Sequence, residues 1–237
     1  MIKIRYVLII FFCFFFITVS AQKYKKPQNL PRYDLKKLHF GFTLGVNSLD
    51  FRIKKDDSFL SNDSLYVLQS QKQNGFNLGI VSNLRLDKYF DLRFIPALVF
   101  GERHLSYSFN DTLTNTIINQ KKKIESTLLD FPIYIKYKSE RYNNFRTYVL
   151  SGFKYSLDIA SQDNIDDQGD EIVKLKKNDI MLEIGFGIDF YLEYFKFSPQ
   201  IKLSYGLINL LSKDDAVYSN SISHLKTNGW MLSFTFE

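Results

Sequence analysis

Residues 180–207 read IMLEIGFGIDFYLEYFKFSPQIKLSYGL. Every second residue of the first half is large and apolar: Ile180, Leu182, Ile184, Phe186, Ile188 and Phe190. Apart from Met181, the positions between them are small or charged: Glu183, Gly185, Gly187 and Asp189. A short polar break at Glu193-Tyr194 follows, and the alternation resumes with Phe195, Phe197, Pro199, Ile201, Leu203, Tyr205 and Leu207. Lys202 and Gly206 lie on its other face. A period of two over such lengths predicts strands, and the short break predicts an antiparallel hairpin.

The same pattern runs outward from this hairpin in both directions. Leu38, Phe40, Phe42, Leu44 and Val46 share one face of a first strand, and Phe76, Leu78, Ile80, Ser82, Leu84 and Leu86 one face of a second. Phe90, Leu92, Phe94, Pro96, Leu98 and Phe100 give a third. Leu129, Phe131, Ile133, Ile135 and Tyr137 give a fourth, and the row from Phe145 through Val149 and Phe153 to Leu157 a fifth. The quoted hairpin supplies the sixth and seventh, and Trp230, Leu232, Phe234 and Phe236 the eighth. None of these positions is charged, although 24% of the 237 residues are. The opposite faces carry Arg85, Arg93, Asp130, Lys136, Arg146, Lys154, Asp158, Glu183, Asp189 and Lys202, interspersed with glycine.

Two eight-stranded barrels compete for this pattern. A soluble ligand-binding barrel is apolar inside and hydrated outside, whereas a membrane barrel meets lipid outside and is polar inside. Glycine gains nothing on a hydrated surface but relieves crowding inside a narrow cylinder. The expected fold is therefore all-β, a transmembrane antiparallel eight-stranded barrel. Its connections should alternate. Short turns fall near Asp87-Lys88-Tyr89, Ser139 to Asn144 and Glu193-Tyr194. Long loops fall at about Asn47–Gln73, Glu102–Lys123, Ile159–Asp179 and Ile208–Asn228. In an outer-membrane barrel the short turns and both termini are periplasmic. Pro96, Pro132 and Pro199 lie inside strands without a free edge, so bulges or local breaks are expected there.

The N-terminus supports export. Lys3 and Arg5 precede an apolar run from Tyr6 to Val19, which ends in Val19-Ser20-Ala21. This describes a signal peptide, residues 1–21, cleaved between Ala21 and Gln22. The single Cys lies inside it, so the exported chain has no disulfide. Residues 22–37 are basic and contain Pro27 and Pro31, so an extended periplasmic tail is expected before the barrel at 38–237. The tail is either a flexible leader or a docking arm for an acidic partner.

Chemistry is sparse. The three His, at 39, 104 and 224, form no evident cluster with a nucleophile. No catalytic or metal residues are assigned. The acid-rich stretch Asp163–Glu171 does not follow the ligand order of a calcium loop and reads as a solvated loop. The inward charges are expected to pair with one another, because unpaired buried charge is costly. A net charge of +6 does not point to nucleic acid in an exported chain with dispersed bases.

An ordered set of segments then resembles a known family. It comprises LHFGFTLGVN (38–47), GIVSNLRL (79–86), LRFIPALVFGER (92–103) and KKIESTLLDFPIYIKYKS (122–139). GFKYSLDIASQ (152–162), FKFSPQIKLSYGLINLL (195–211) and the final SFTFE follow. The chain is similar in these to the PorT family, called SprT in gliding bacteria, outer-membrane barrels of the type IX secretion system of the Bacteroidota. The resemblance implies a role in protein export, and in gliding motility where that occurs. It implies partners among the other secretion components, no cofactor, no catalytic residue and no small-molecule substrate. A small pore or a surface-binding barrel is the alternative.

Overall fold

The computed structural model describes residues 27–55, 65–111, 116–160, 175–212 and 222–237. The signal peptide, its cleavage site at Ala21 and Gln22, the first residues of the tail and the whole acid-rich stretch 163–171 lie outside these. Nine strands follow a 3-10 turn at Tyr33–Leu35: β1 (Leu38–Lys55), β2 (Leu65–Arg85), β3 (Phe90–Phe94), β4 (Ala97–Asp111), β5 (Thr116–Lys138), β6 (Phe145–Asp158), β7 (Asn178–Tyr191), β8 (Lys196–Gly206) and β9 (Ile222–Phe236).

β3 and β4 are one stave broken at Ile95-Pro96. Both pair with β2 on one side and with β5 on the other. All neighbours are antiparallel, and β1 pairs with both β2 and β9, so eight staves close into a ring. Closure leaves no strand edge, which matters wherever water is absent and an unpaired N–H would have no partner.

The prolines explain the break. Phe94 pairs with Ile133 and Ala97 with Asp130, so the ladder is interrupted where Ile95-Pro96 faces Phe131-Pro132. Two prolines, neither with an N–H to donate, share one gap. The Ile95 N–H still donates to the Pro132 carbonyl at 3.4 Å. Pro199 leaves a second gap, because the β7–β8 ladder passes from Gly187–Gln200 to Phe190–Phe197. Neither interruption reverses the faces of the flanking strand: Arg93, Ile95 and Val99 are all buried.

Inside the wall, small residues make room for large ones. Tyr148 faces Gly187 across the β6–β7 ladder, and a Cβ at Gly187 would lie 2.4 Å from the Tyr148 ring. Glycine is required there by close approach of an aromatic ring.

Three expected long loops prove much shorter. β1 continues to Lys55 and β2 begins at Leu65, so most of 47–73 is strand. β4 and β5 likewise replace most of 102–123, and β9 begins at Ile222 within the loop expected to end at Asn228. The reason is a reversal of the faces. Up to Val46, Phe76, Phe100 and Trp230 the outward positions are apolar and exposed or half-exposed. Beyond them the outward positions are Asp50, Arg52, Lys72, Glu102, His224 and Lys226, while inward Phe51, Leu105, Ile222 and Leu225 are buried. These inward residues pack with Leu175, Leu210 and Leu211 from the connecting segments. The wall thus passes from an inside-out barrel to a dome with an ordinary apolar core. The alternation persists, with register shifts at Lys54/Lys55 on β1 and between Lys72 and Phe76 on β2, but its sign inverts.

The opposite end is closed differently. Residues 27–37 were expected to be extended, and instead they fold across the mouth. Leu30 turns the chain through the left-handed region (φ 49). The 3-10 turn then places the Tyr33 ring on His39, stacked at 4.0 Å, and edge-on to Tyr191 at 5.8 Å. Two prolines do not hold a segment extended when an aromatic ring and an acid can pack, half-buried, against the barrel mouth.

Candidate functional site

Among the described residues, most of the buried ionisable groups converge in the interior. It is built by the inward rows of β2–β9, because alternate residues of a strand point to one face. Near the short-turn end, Lys136 lies 2.8 Å from Asp189, which also takes Ser198 Oγ at 2.6 Å and faces Arg146 Nε at 3.5 Å. Arg146 also pairs with Asp34 of the closing segment. Arg93 pairs with Glu237, whose second oxygen accepts from Lys196 at 2.8 Å and from the Tyr33 hydroxyl at 3.0 Å. Lys138 meets Asp91 at 2.5 Å, and Asn83 donates to the same carboxylate at 3.1 Å.

A second layer sits deeper. Lys154 bridges Asp130 at 3.1 Å and Glu183 at 2.7 Å. Glu183 accepts from the Tyr134 hydroxyl and from Ser204, while Lys202 donates to the Tyr134 oxygen at 3.3 Å. Ser156 donates to Asp130 at 2.5 Å. Toward the dome, Arg103 lies 4.0 Å from Asp158, donates to Ser126 and Thr227, and covers the Phe51 ring at 4.2 Å. Asp179 is buried close by.

Of the residues singled out from sequence, Arg93, Asp130, Lys136, Arg146, Lys154, Asp158, Glu183, Asp189 and Lys202 are buried inside. Arg85 is not. It closes β2 at the rim, half-buried, and its Nε donates to the Asp87 carbonyl at 3.3 Å. Sequence reasoning passed over Asp34, Asp91, Arg103, Lys138, Asp179, Lys196 and Glu237. Strand parity, extended to the last residue of each strand, would have found most of these: Lys138 is in phase with Lys136, and Glu237 with Ser233 and Thr235.

Among the described residues, the interior holds eight bases, Arg93, Arg103, Lys136, Lys138, Arg146, Lys154, Lys196 and Lys202, while Arg32, Lys36 and Lys37 of the closing segment are exposed outside it. Eight acids face them: Asp34, Asp91, Asp130, Asp158, Asp179, Glu183, Asp189 and Glu237. The balance follows from electrostatics, since an uncompensated charge in a low-dielectric interior is costly and a bonded pair offsets that cost. Among the described residues no group of three His, Cys, Asp or Glu is placed to hold a metal ion.

The short turns add a separate, water-facing set. Lys88 pairs with Glu140 at 2.6 Å, and Tyr89 donates to the same carboxylate at 2.8 Å. The Lys88 hydrogen bond holds the Glu140 carboxyl below the usual carboxylate range. Arg141 lies over the Tyr191 ring at 3.7 Å and donates to the carbonyls of Asn29, Leu30 and Asn143. It thereby fastens the closing segment, and Asn29 donates in turn to Asn144 Oδ1 at 2.9 Å and to the Tyr191 carbonyl at 3.0 Å.

A closed eight-stave ring with an apolar outside and an ion-paired inside defines a transmembrane β-barrel. Residues 20–212 match the model of the outer membrane protein beta-barrel domain, and the chain belongs to that family. It is an outer-membrane barrel. Among solved structures it is similar to OprG of Pseudomonas aeruginosa, at 13% identity over 90% of this chain and 95% of that one, with a TM-score of 0.45. Neisserial surface protein A matches at 9% identity over 84% and 98%, TM-score 0.42. The Ail protein of Yersinia pestis matches at 12% over 85% and 98%, TM-score 0.33. No curated protein matches the sequence.

Proposed function

We propose that the protein is a non-enzymatic outer-membrane component of the type IX secretion system, serving cargo export as a scaffold or assembly factor, and gliding motility where that occurs. Its short turns and both termini face the periplasm in this reading. The carrying observation is the charge-balanced interior, filled by paired side chains and covered at one end by the Tyr33 segment and at the other by the apolar dome. Such a barrel is a membrane-held platform whose working surfaces are its rims. The ordered segments shared with the PorT family supply the choice of secretion system. Deleting the gene tests this: export of several unrelated cargos should stop and return with the wild-type copy. Intact export, with ion conductance by the purified protein in planar bilayers, would favour the small-pore alternative. Intact export with binding of a surface ligand would favour the surface-binding barrel.

A further inference from the structure

A cavity of about 360 Å³ opens at the short-turn end between the β2–β3 and β5–β6 turns. Its walls include Arg85, Lys88, Lys138, Glu140, Arg141 and Arg146, with Asp34 of the closing segment on one side. We propose that it receives an acidic side chain, Asp or Glu, from a segment of a protein partner on the periplasmic side; this rests on the scaffold reading above.

The ion pairs around the cavity leave two cations over. Lys138 is matched by Asp91, Arg146 by Asp34 and Asp189, and Lys88 by Glu140. The Arg85 side chain makes one bond, to a backbone carbonyl, and among the described residues no carboxylate pairs with it. Arg141 donates to three backbone carbonyls and the Asn144 side chain, which satisfies its N–H groups without cancelling its charge. Two guanidinium groups without carboxylates therefore border one cavity. Neither is needed for the internal balance, which closes without them. A guanidinium fork fits a carboxylate through two parallel N–H···O bonds, so an entering Asp or Glu would find at Arg85 the partner that the fold omits.

Position decides between protein and lipid. None of the lining residues belongs to the apolar outward rows of the strands; Lys138 and Arg146 point inward, and the others lie in turns or at strand ends. The cavity therefore opens along the barrel axis toward water, away from the phospholipid headgroups that ring the wall.

The test uses the full chain, purified and folded in detergent, titrated at low salt with a fluorescein-labelled peptide of alternating Glu and Gly. Anisotropy should show saturable one-to-one binding, weakened at least about tenfold by Arg85→Glu, where repulsion replaces pairing, and unchanged by Lys54→Glu on the dome side. The Arg85 side chain sits at the wet rim with a single bond, so the heat-dependent gel shift of a closed barrel should be the same in both variants. Absence of saturable binding, or equal binding by Arg85→Glu, overturns the proposal. So does displacement of the peptide by inorganic phosphate or phosphatidylglycerol vesicles at lower concentration than by free glutamate peptide, which would assign the cavity to phosphate. Cargo export in a strain carrying Arg85→Glu separates the two readings. Export lost with peptide binding supports both. Export retained while peptide binding is lost leaves the acidic site standing and overturns its part in secretion.

Discussion

Replacing Ile184 by arginine asks whether the apolar rows meet lipid. Ile184 projects outward from β7, 59% exposed, with Ser151 on β6 and Leu203 on β8 as its cross-strand neighbours. The outward apolar row of β7 runs from Ile180 to Phe190, and the next outward position beyond Ile180 is Asn178. Ten residue steps of about 3.4 Å, tilted by about 40°, rise about 26 Å, close to the roughly 25 Å apolar band of an outer-membrane barrel. Ile184 then lies about 3 Å from the middle of that band. An arginine there should cost about 2–4 kcal/mol, which is roughly 30- to 700-fold in the folding equilibrium. Ile180→Arg, at the edge, should cost at most about 1 kcal/mol. Reversible urea unfolding in lipid vesicles, followed by tryptophan fluorescence, measures both. If the row faced water, an outward arginine would change stability by less than about 0.5 kcal/mol. A value that small at Ile184, or equal costs at both sites, would refute the placement.

Other perturbations test the interior and its two covers. Lys138→Met strands the buried Asp91 carboxylate and should destabilise the barrel by about 3–5 kcal/mol, whereas Lys138→Met with Asp91→Leu should recover most of that; the same urea titration distinguishes them. Leu225→Ala removes a fully buried side chain from the dome and should cost about 2–5 kcal/mol, with hydrogen exchange rising first in the strand ends around Phe51 and Leu105. Tyr33→Ala removes the ring stacked on His39 and the hydroxyl bonded to Glu237, so amide exchange should quicken across residues 29–36 while the β6–β7 ladder stays protected. Uniform exchange in both regions would show that the closing segment is not docked.

The parts of the fold visible in the sequence are those where lipid imposes a sign on the alternation. The hairpin from Ile180 to Leu207 is readable because hydrocarbon accepts no charge on one face. Past Val46 the same strand continues, but Leu49, Phe51 and Ile53 carry the apolar signal on the other parity. That inversion is in the sequence as a slip of phase and reads as a loop, because water on the outside removes the long apolar row. The interior pairs follow from parity as far as the strand ends are legible, which is why Lys136 is readable from sequence and Lys138 is not. Arg85 has inward parity too, yet it ends its strand at the rim, where parity no longer implies burial. The Tyr33 segment was illegible for a different reason. Its contacts with Glu237, Tyr191 and Arg141 are more than 100 residues away in the chain, and nothing local in a basic, proline-containing stretch encodes them.

Trp230 offers the most direct measurement. It is the only tryptophan in the chain, it faces outward on β9 beside Leu203, and the next outward residue toward the dome is Asn228. Its fluorescence in vesicles should be quenched strongly by lipids brominated near the headgroup, less by lipids brominated near the chain ends, and little by aqueous iodide. Strong iodide quenching with no response to either brominated lipid would mean that this wall stands in water, contradicting the lipid-facing barrel.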